Sequence, residues 1–510
     1  MAIVVSHLAD SFDALVTQVR QQEALADLIE VRLDRIGHPG KARLAELFRA
    51  VKKPVIVACH GTEAFGEADR DPDELCDLLH DCATAGARFV DVDWRLALEL
   101  GEVPAPCHRI VSRHELAGTP EDLGAVHEEV AAVLGEGDVT KIVTHAESCE
   151  DGLRLLRWLR TTKGVIGFCS GTAGRFTRLL APIFGSPFTY CAPAAFPGQP
   201  ARPTAPGQWP VNDLVAAAPP GGLNQGTAIL GVVGRPIGHS LSPRVQGLAL
   251  KAARLDAVFV ALEPATLGGL LALADDENWR GFAVTAPFKE EALASAVRAD
   301  EAATRTGAAN TLLRERDGWR AANTDVAAVR ETLASALHLH ARRQAGAPRE
   351  LARARVLVLG AGGAARAAVW AARALEAEVV VAGRTRARAE AVAGALGARA
   401  VGWDEIPNVD HDVLVHTTPV GTGRDPGAED ALPIPAGWIR PGTLVLDAVY
   451  RPIRTALLAA ASARDCTAVP GAEWFVRQAE AQFRLFTHGE PDVELMRHTL
   501  ETALAQTADA

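Results

Sequence analysis

No stretch of this 510-residue chain approaches the roughly 18 uninterrupted apolar residues of a membrane span, so none is expected. The opening residues, MAIVVSHLADSFD, lack a basic region followed by a long apolar run. That argues against a secretory signal and for a cytoplasmic location. Positive charge is in short supply: the net charge is −11, which favours neither nucleic acid nor an anionic membrane as a partner. The eight cysteines include no Cys-x-x-Cys pair, and several lie inside apolar runs such as VIVACH and VIGFCSG. Buried free thiols in a reducing compartment fit this pattern better than disulfides or a metal, and no metal site is expected. Lysine occurs only at Lys41, Lys52, Lys53, Lys141, Lys163, Lys251 and Lys289, so a lysine in a strand or a loop stands out.

What is present is ample apolar material, 48% of residues, for more than one core. The first 200 residues alternate short apolar runs with helical patterns. The runs are 2–8, 28–34, 54–60, 89–95, 108–114, 139–145, 165–171 and 187–193. Alternating β and α segments imply parallel strands, and eight such units fit a (β/α)8 TIM barrel. A Pro/Gly-rich texture over 194–228 reads as a boundary and linker. Mixed α/β patterning follows over 228–330, then a helical stretch at 331–352. Beyond it the strands VLVLG, EVVVAG, DVLVHTT and TLVLDAVY alternate with helices, and from Ala472 the chain reads as helical.

VLVLGAGGAARAA is a strand, a glycine turn and a helix. Gly360, Gly362 and Ala365 take the G-x-G-x-x-(G/A) positions: a tight turn, a close backbone approach to pyrophosphate, and close helix–strand packing. Ala361, Gly363 and Ala364 complete the loop that would bring amide N–H groups to the phosphates. The next strand ends in AGRTRAR, with Arg384, Thr385, Arg386 and Arg388 where an NAD site would carry a carboxylate. Guanidinium groups suit a 2′-phosphate and so favour NADP; the alternative is a solvated helix start.

GHSLSP places two serines, Ser240 and Ser242, two residues apart, able either to bind an anionic ligand or to cap a helix. The ordered motifs GHSLSP, VTAPFK, GAANT, NTD, GAGGAARA, RT, TTPVG, DAVYRPIRTALL and QAEAQF over 228–510 resemble shikimate dehydrogenase. The resemblance implies that Ser240 and Ser242 hold the shikimate carboxylate. It places Thr285, Asn310 and Gln478 at the ring hydroxyls and Tyr450 near the nicotinamide. Lys289 and Asp325 become the catalytic pair, and Thr418 and Gly471 join the cofactor site. An ammonium can stabilise and protonate the oxygen on which negative charge builds during hydride addition, and a carboxylate holds it in place. Two positions depart from the usual pattern: Ala283 replaces Asn or Ser before VT, and His416 replaces Asn before TTP.

In the first half, candidates at strand C-terminal ends are Glu30, Arg32, His60, Asp91, Asp93, His114 and Lys141. A lysine inside an apolar strand either has its charge paired, has a lowered pKa suited to Schiff-base chemistry, or snorkels to the barrel mouth. Glu30-x-Arg32, DVDW, Ser112-x-His114, V-T-Lys141-I and FTRLLAPIFGSPFTY with Arg178 resemble type I 3-dehydroquinate dehydratase over about 1–215. TAPGQWPVNDL resembles that family's closing loop and suggests Thr204 and Gln208; an earlier PGQ triplet ends at Gln199. The resemblance implies that Lys141 forms an imine, His114 moves protons and Arg178 binds the substrate carboxylate. Glu30, Arg32, His60, Thr204 and Gln208 would complete that substrate site. Here too there are departures: His60 stands where the family has Arg, and Ala64 and Phe65 stand where it has Glu and Gly.

The whole chain thus resembles a fused dehydratase–dehydrogenase. The implied domains are a barrel at 1–215, a linker at 216–227 and a substrate domain at 228–330 to which 472–510 return. A Rossmann NADP-binding domain occupies 331–471. The expected partners are 3-dehydroquinate, 3-dehydroshikimate and shikimate. Alternatives are a quinate or NAD-linked dehydrogenase, a barrel with impaired or aldolase-like chemistry, and a non-catalytic metabolite sensor.

Overall fold

A computed structural model of the chain describes residues 2–61, 66, 70–196, 202–344, 350–422 and 430–508. The chain divides into two compact units: 1–228 with 254–258 and 262–278, and 229–253 with 259–261 and 279–510.

The first unit is built on β1 (Ala2–Leu8), β2 (Leu28–Arg32), β3 (Val55–Ala58), β4 (Phe89–Asp93), β5 (His108–Glu115), β6 (Val139–His145), β7 (Ile166–Ser170) and β8 (Phe188–Cys191). They lie in the order β7-β6-β5-β4-β3-β2-β1-β8, with parallel pairing along the run: a nearly closed α/β barrel. Period-2 alternation turns one residue set inward. Val4, Leu28, Ile56, Ile110, Ile166 and Tyr190 form the buried inner layer. Ser6, Glu30, Asp91 and Lys141 continue the same alternation toward the C-terminal ends. Several of the connecting helices are amphipathic and carry a side-chain N-cap. Helix Cys149–Thr161 starts with a Ser148/Asp151 capping box and buries Leu153, Leu156 and Leu159. The short connection after β4 is a single turn of 3-10 helix (Trp94–Leu96) and a helix at Ala97–Leu100.

Two six-stranded sheets follow. β9 (Ala228–Val233), β10 (Ala257–Leu262), β11 (Trp279–Val284), β12 (Arg298–Ala299), β13 (Thr311–Glu315) and β14 (Gly318–Ala322) lie in the order β10-β9-β11-β13-β14-β12. The sheet is mixed: β13 is antiparallel to β11 and β14. The third sheet contains β15 (Arg355–Leu359), β16 (Glu378–Ala382), β17 (Arg399–Val401), β18 (Val413–His416), β19 (Leu444–Asp447) and β20 (Thr467–Val469). Its order, β17-β16-β15-β18-β19-β20, is parallel throughout and reverses between β15 and β18. This is the doubly wound dinucleotide-binding topology, with its ligand crevice at the reversal point.

Three details differ from the sequence reading. β17 and β20 join the four strands expected in this sheet; each has only three residues and little alternation to reveal it. The helix expected from 331 spans Thr324–Arg343, because Asn323 caps it seven residues earlier through the Asp325 amide. The C-terminal helical stretch is two helices, Gly471–Thr487 and Val493–Ala508, separated where His488 turns left-handed at φ 56°.

Candidate active sites

In the barrel, adjacent strands bring Lys141, Asp91, His60 and His114 together. Lys141 Nζ donates to Asp91 Oδ2 at 2.7 Å, and both side chains are almost wholly buried. The lysine that stood out in an apolar strand is therefore charge-paired, not snorkelling. The Tyr190 ring lies 4.6 Å from its Nζ. His60 Nε2 comes within 3.4 Å of Asp91 Oδ1 without hydrogen-bond geometry, and the His60 and His114 rings meet edge-on at 5.4 Å. Burial alone would raise the Asp91 pKa, but the Lys141 ammonium and then His60 pull it far below the usual carboxylate range. His114 is pushed well below an ordinary imidazole, first by burial and then by the charges of Lys141 and His60. It is a neutral base at pH 7.

Around this centre, Ser6 Oγ donates to Glu30 Oε2 and contacts Thr204 Oγ1 at 2.7 Å. Gln208 Oε1 accepts the Thr204 amide at 2.8 Å. The 202–210 segment therefore reaches the C-terminal end of β1, with Thr204 and Gln208 beside Glu30; Gln199 lies outside the described residues. Arg32 pairs with Asp34, which also accepts the His60 amide at 3.1 Å. Arg178 is buried and stacked on Phe168 at 4.2 Å, and it has no carboxylate partner among the described residues. Burial lowers its pKa to about 10. A buried guanidinium with no ion-pair partner among the described residues fits an incoming anion. Asp93 caps the following turn and pairs with Arg95, a structural role. Glu63, Ala64 and Phe65 lie outside the described residues.

In the second unit, Lys289 Nζ donates to Asp325 Oδ2 at 2.5 Å. Interlocking motifs hold the pair. Asn310 Oδ1 accepts the Thr324 amide and its Nδ2 donates to Thr324 Oγ1, each at 2.8 Å. Asn323 Nδ2 donates to Thr306 Oγ1 and to the Ala308 carbonyl. The Asn310 carbonyl oxygen is thus occupied internally, leaving one amide N–H for a ligand. The Gln478 backbone carbonyl accepts from Thr324 Oγ1 at 3.4 Å. Ser240 Oγ accepts the Ser242 amide at 3.3 Å at the start of helix Ser242–Ala252. That local contact leaves the Ser240 hydroxyl proton available. Thr285 follows β11, its amide donating to the Val233 carbonyl at 2.8 Å, and Tyr450 packs on Phe475 at 4.7 Å.

The cofactor loop fits a dinucleotide. Gly360 has φ +123°, and a Cβ there would lie 2.4 Å from Thr417 Oγ1, so only glycine is accommodated. A Cβ on Gly362 would meet nothing within 4 Å, leaving open space at the N-terminus of helix Gly363–Arg373. Ala361 and Ala364 flank that turn, and Ala365 is buried against the sheet. Arg386 is tied to Glu390 and Glu405. Arg384 and Arg388 are exposed with no ion-pair partner among the described residues, and exposed Thr385 precedes helix Arg386–Leu396. Thr418 follows β18 at the reversal point, and Gly471 begins helix Gly471–Thr487 against the Asp447 and Val449 carbonyls.

Sequence reasoning left Ser6, Asp34, Tyr190 and the Asp447–Thr455 pair unassigned, and it weighed Asp91 without giving it a role. The inward alternation of β1 and β4 could have marked Ser6 and Asp91 as polar residues in an apolar layer.

Residues 3–218 match the family described as type I 3-dehydroquinase, and 232–312 match the shikimate dehydrogenase substrate binding domain. A shikimate dehydrogenase (NADP(+)) of Halobacterium salinarum is 39% identical over 280 residues, 54% of this chain and 99% of the relative. Shikimate 5-dehydrogenase of Thermus thermophilus, solved in complex with NADP(H) and shikimate, is 33% identical with a TM-score of 0.47. That match covers 54% of this chain and all of the solved one. The bifunctional 3-dehydroquinate dehydratase/shikimate dehydrogenase, chloroplastic, of Arabidopsis thaliana is 32% identical over 504 residues, 94% of this chain and 81% of the relative. The two sites, each a lysine held by a carboxylate, lie on one chain matched over nearly its whole length, and the chain belongs to the bifunctional 3-dehydroquinate dehydratase/shikimate dehydrogenase family.

Proposed function

We propose that the barrel dehydrates 3-dehydroquinate to 3-dehydroshikimate and that the second unit reduces this product to shikimate with NADPH. The observation that carries the reading is the buried Lys141–Asp91 pair beside a neutral His114. Lys141, once its proton is lost, attacks the ketone carbon, and loss of water gives a protonated imine with Asp91 as counter-ion. The imine draws electrons from the adjacent carbon, and His114 removes a proton there. The departing hydroxyl leaves as water with the proton that His114 returns, and a second water releases Lys141. Arg178 holds the substrate carboxylate, while Glu30, Arg32, His60, Thr204 and Gln208 surround the ring.

In the second unit, Ser240 and Ser242 take the carboxylate, and Thr285, Asn310 and Gln478 meet the ring. NADPH supplies the hydride when bound. Lys289, oriented by Asp325, protonates the developing alkoxide. Gly360 through Ala365 and Gly471 receive the dinucleotide, Thr418 and Tyr450 stand at its nicotinamide end, and Arg384, Thr385 and Arg388 receive the 2′-phosphate. The domain limits are those of the sequence reading. Eight free cysteines suit a reducing, cytoplasmic setting, and among the described residues no helix is long and apolar enough to cross a membrane.

The test is NADPH oxidation on addition of 3-dehydroquinate, and separately of 3-dehydroshikimate. Both should drive it. Oxidation with the second substrate alone refutes the dehydratase, and oxidation with neither refutes the whole reading. Borohydride with 3-dehydroquinate should label Lys141, and a label elsewhere refutes its role.

A further inference from the structure

A directional chain of hydrogen bonds runs from a helix cap to Thr418, just beyond β18. The Leu458 amide donates to Thr455 Oγ1 at 3.2 Å, leaving the Thr455 proton for Asp447 Oδ2 at 2.6 Å. Asp447 Oδ1 accepts the Val449 amide at 3.0 Å and faces His416 Nδ1 at 2.8 Å. Both carboxylate oxygens are therefore acceptors, which assigns the His416 proton to Nδ1. In the neutral ring Nε2, 2.5 Å from Thr418 Oγ1, is then left to accept the Thr418 proton. His416 and Asp447 are fully buried on adjacent strands, in register at the C-terminal ends of β18 and β19. The ring can neither swing away nor exchange its partner for water. With its proton committed, Thr418 Oγ1 can only accept. Its one other contact among the described residues, the Val420 amide, is long at 3.4 Å.

We propose that the Asp447–His416 dyad is a positioning device that fixes the Thr418 hydroxyl as a hydrogen-bond acceptor for the carboxamide N–H of the nicotinamide cofactor. It rests on the reading that Thr418 meets the cofactor. The sheet order supports the assignment to the nicotinamide half. The adenine half lies toward β16, where Arg384 sits, and the dinucleotide crosses the reversal point toward β18 and β19. An acceptor-only oxygen distinguishes a carboxamide, which can donate, from an acetyl group, which cannot.

The experiment compares the affinities of the full chain for NADP and for 3-acetylpyridine adenine dinucleotide phosphate by titration calorimetry. Wild type should favour NADP about tenfold, the worth of one well-made hydrogen bond. Thr418→Val and His416→Leu should bring the two affinities within about twofold. His416→Asn, whose amide can donate to Asp447 and accept from Thr418, should keep the preference near tenfold. If Thr418→Val retains the wild-type ratio, the placement of Thr418 at the carboxamide is wrong. If Thr418→Val loses it and His416→Leu retains it, Thr418 stays and the dyad is refuted. The tautomer is read without a core substitution from long-range proton–nitrogen spectra of histidine-labelled protein, with His416→Asn assigning the signal. A proton on Nδ1 and none on Nε2 is expected; a proton on Nε2 overturns the proposal.

Discussion

Asp91→Asn removes the charge opposite Lys141 while keeping nearly the same shape. At 2.7 Å the pair is worth ~6 kcal/mol with an effective dielectric of about 20, offset by several kcal/mol of desolvation per ion. Breaking one side of a buried pair costs about 3–5 kcal/mol, because the remaining charge has neither water nor partner. In the variant that cost falls on the protonated forms, both the Lys141 ammonium and the imine it becomes. Borohydride with 3-dehydroquinate should trap less of the imine at pH 7, because that cation is no longer paired. The protonated imine loses its counter-ion, so dehydratase kcat should fall about a hundredfold or more at pH 7. Reduction of added 3-dehydroshikimate should be unchanged. A variant with the wild-type trapping yield and wild-type dehydratase kcat would refute the reasoning, since Asp91 would then be a spectator.

Other substitutions test separate parts. A Cβ on Gly363 would lie 2.7 Å from Lys289 Cδ, so Gly363→Ala should displace the catalytic lysine from Asp325 and lower dehydrogenase kcat at least ~10-fold. Alanine is the better helix former, so the melting temperature should not fall; wild-type kcat would contradict the contact. Replacing Arg384 and Arg388 together by Ala should weaken NADPH binding about 10–100-fold and leave NADH binding unchanged, and equal losses for both would remove them from the 2′-phosphate. His7 is buried on β1, neither ring nitrogen has a hydrogen-bond partner among the described residues, and burial lowers its pKa to about 4. The unfolded chain takes up that proton near pH 6.5. The stability contributed by a neutral His7 is therefore complete above pH 6.5 and lost as pH falls toward 4, by ~3 kcal/mol. His7→Leu should flatten the acid limb of stability against pH in denaturant titrations, and an unchanged slope would refute it.

The barrel was legible because its strands are short, apolar and evenly spaced, and because Lys141 interrupts one of them. The Rossmann half was legible because Gly360, Gly362 and Ala365 sit between a strand and a helix. Partnership across strands was not legible. Nothing local links Asp91 to Lys141, 50 positions apart, or His416 to Asp447, 31 apart; parallel register alone brings them together. Asn310 reads as a ligand by motif, yet most of its hydrogen bonds brace Thr324 and Thr311, a division of labour that depends on tertiary packing. Strands β17 and β20 were missed because three residues carry almost no periodicity.

The central claim is that one chain carries two separate reactions in sequence. It is tested most directly by making Lys141→Ala and Lys289→Ala separately and supplying 3-dehydroquinate with NADPH. The Lys289 variant should accumulate 3-dehydroshikimate with little NADPH oxidised, and the Lys141 variant should leave 3-dehydroquinate untouched. A mixture of the two should restore formation of shikimate. Failure of the mixture while each variant keeps its remaining single activity would contradict diffusion of the product between two independent sites. Shikimate formation by the Lys141 variant alone would contradict the account at its root.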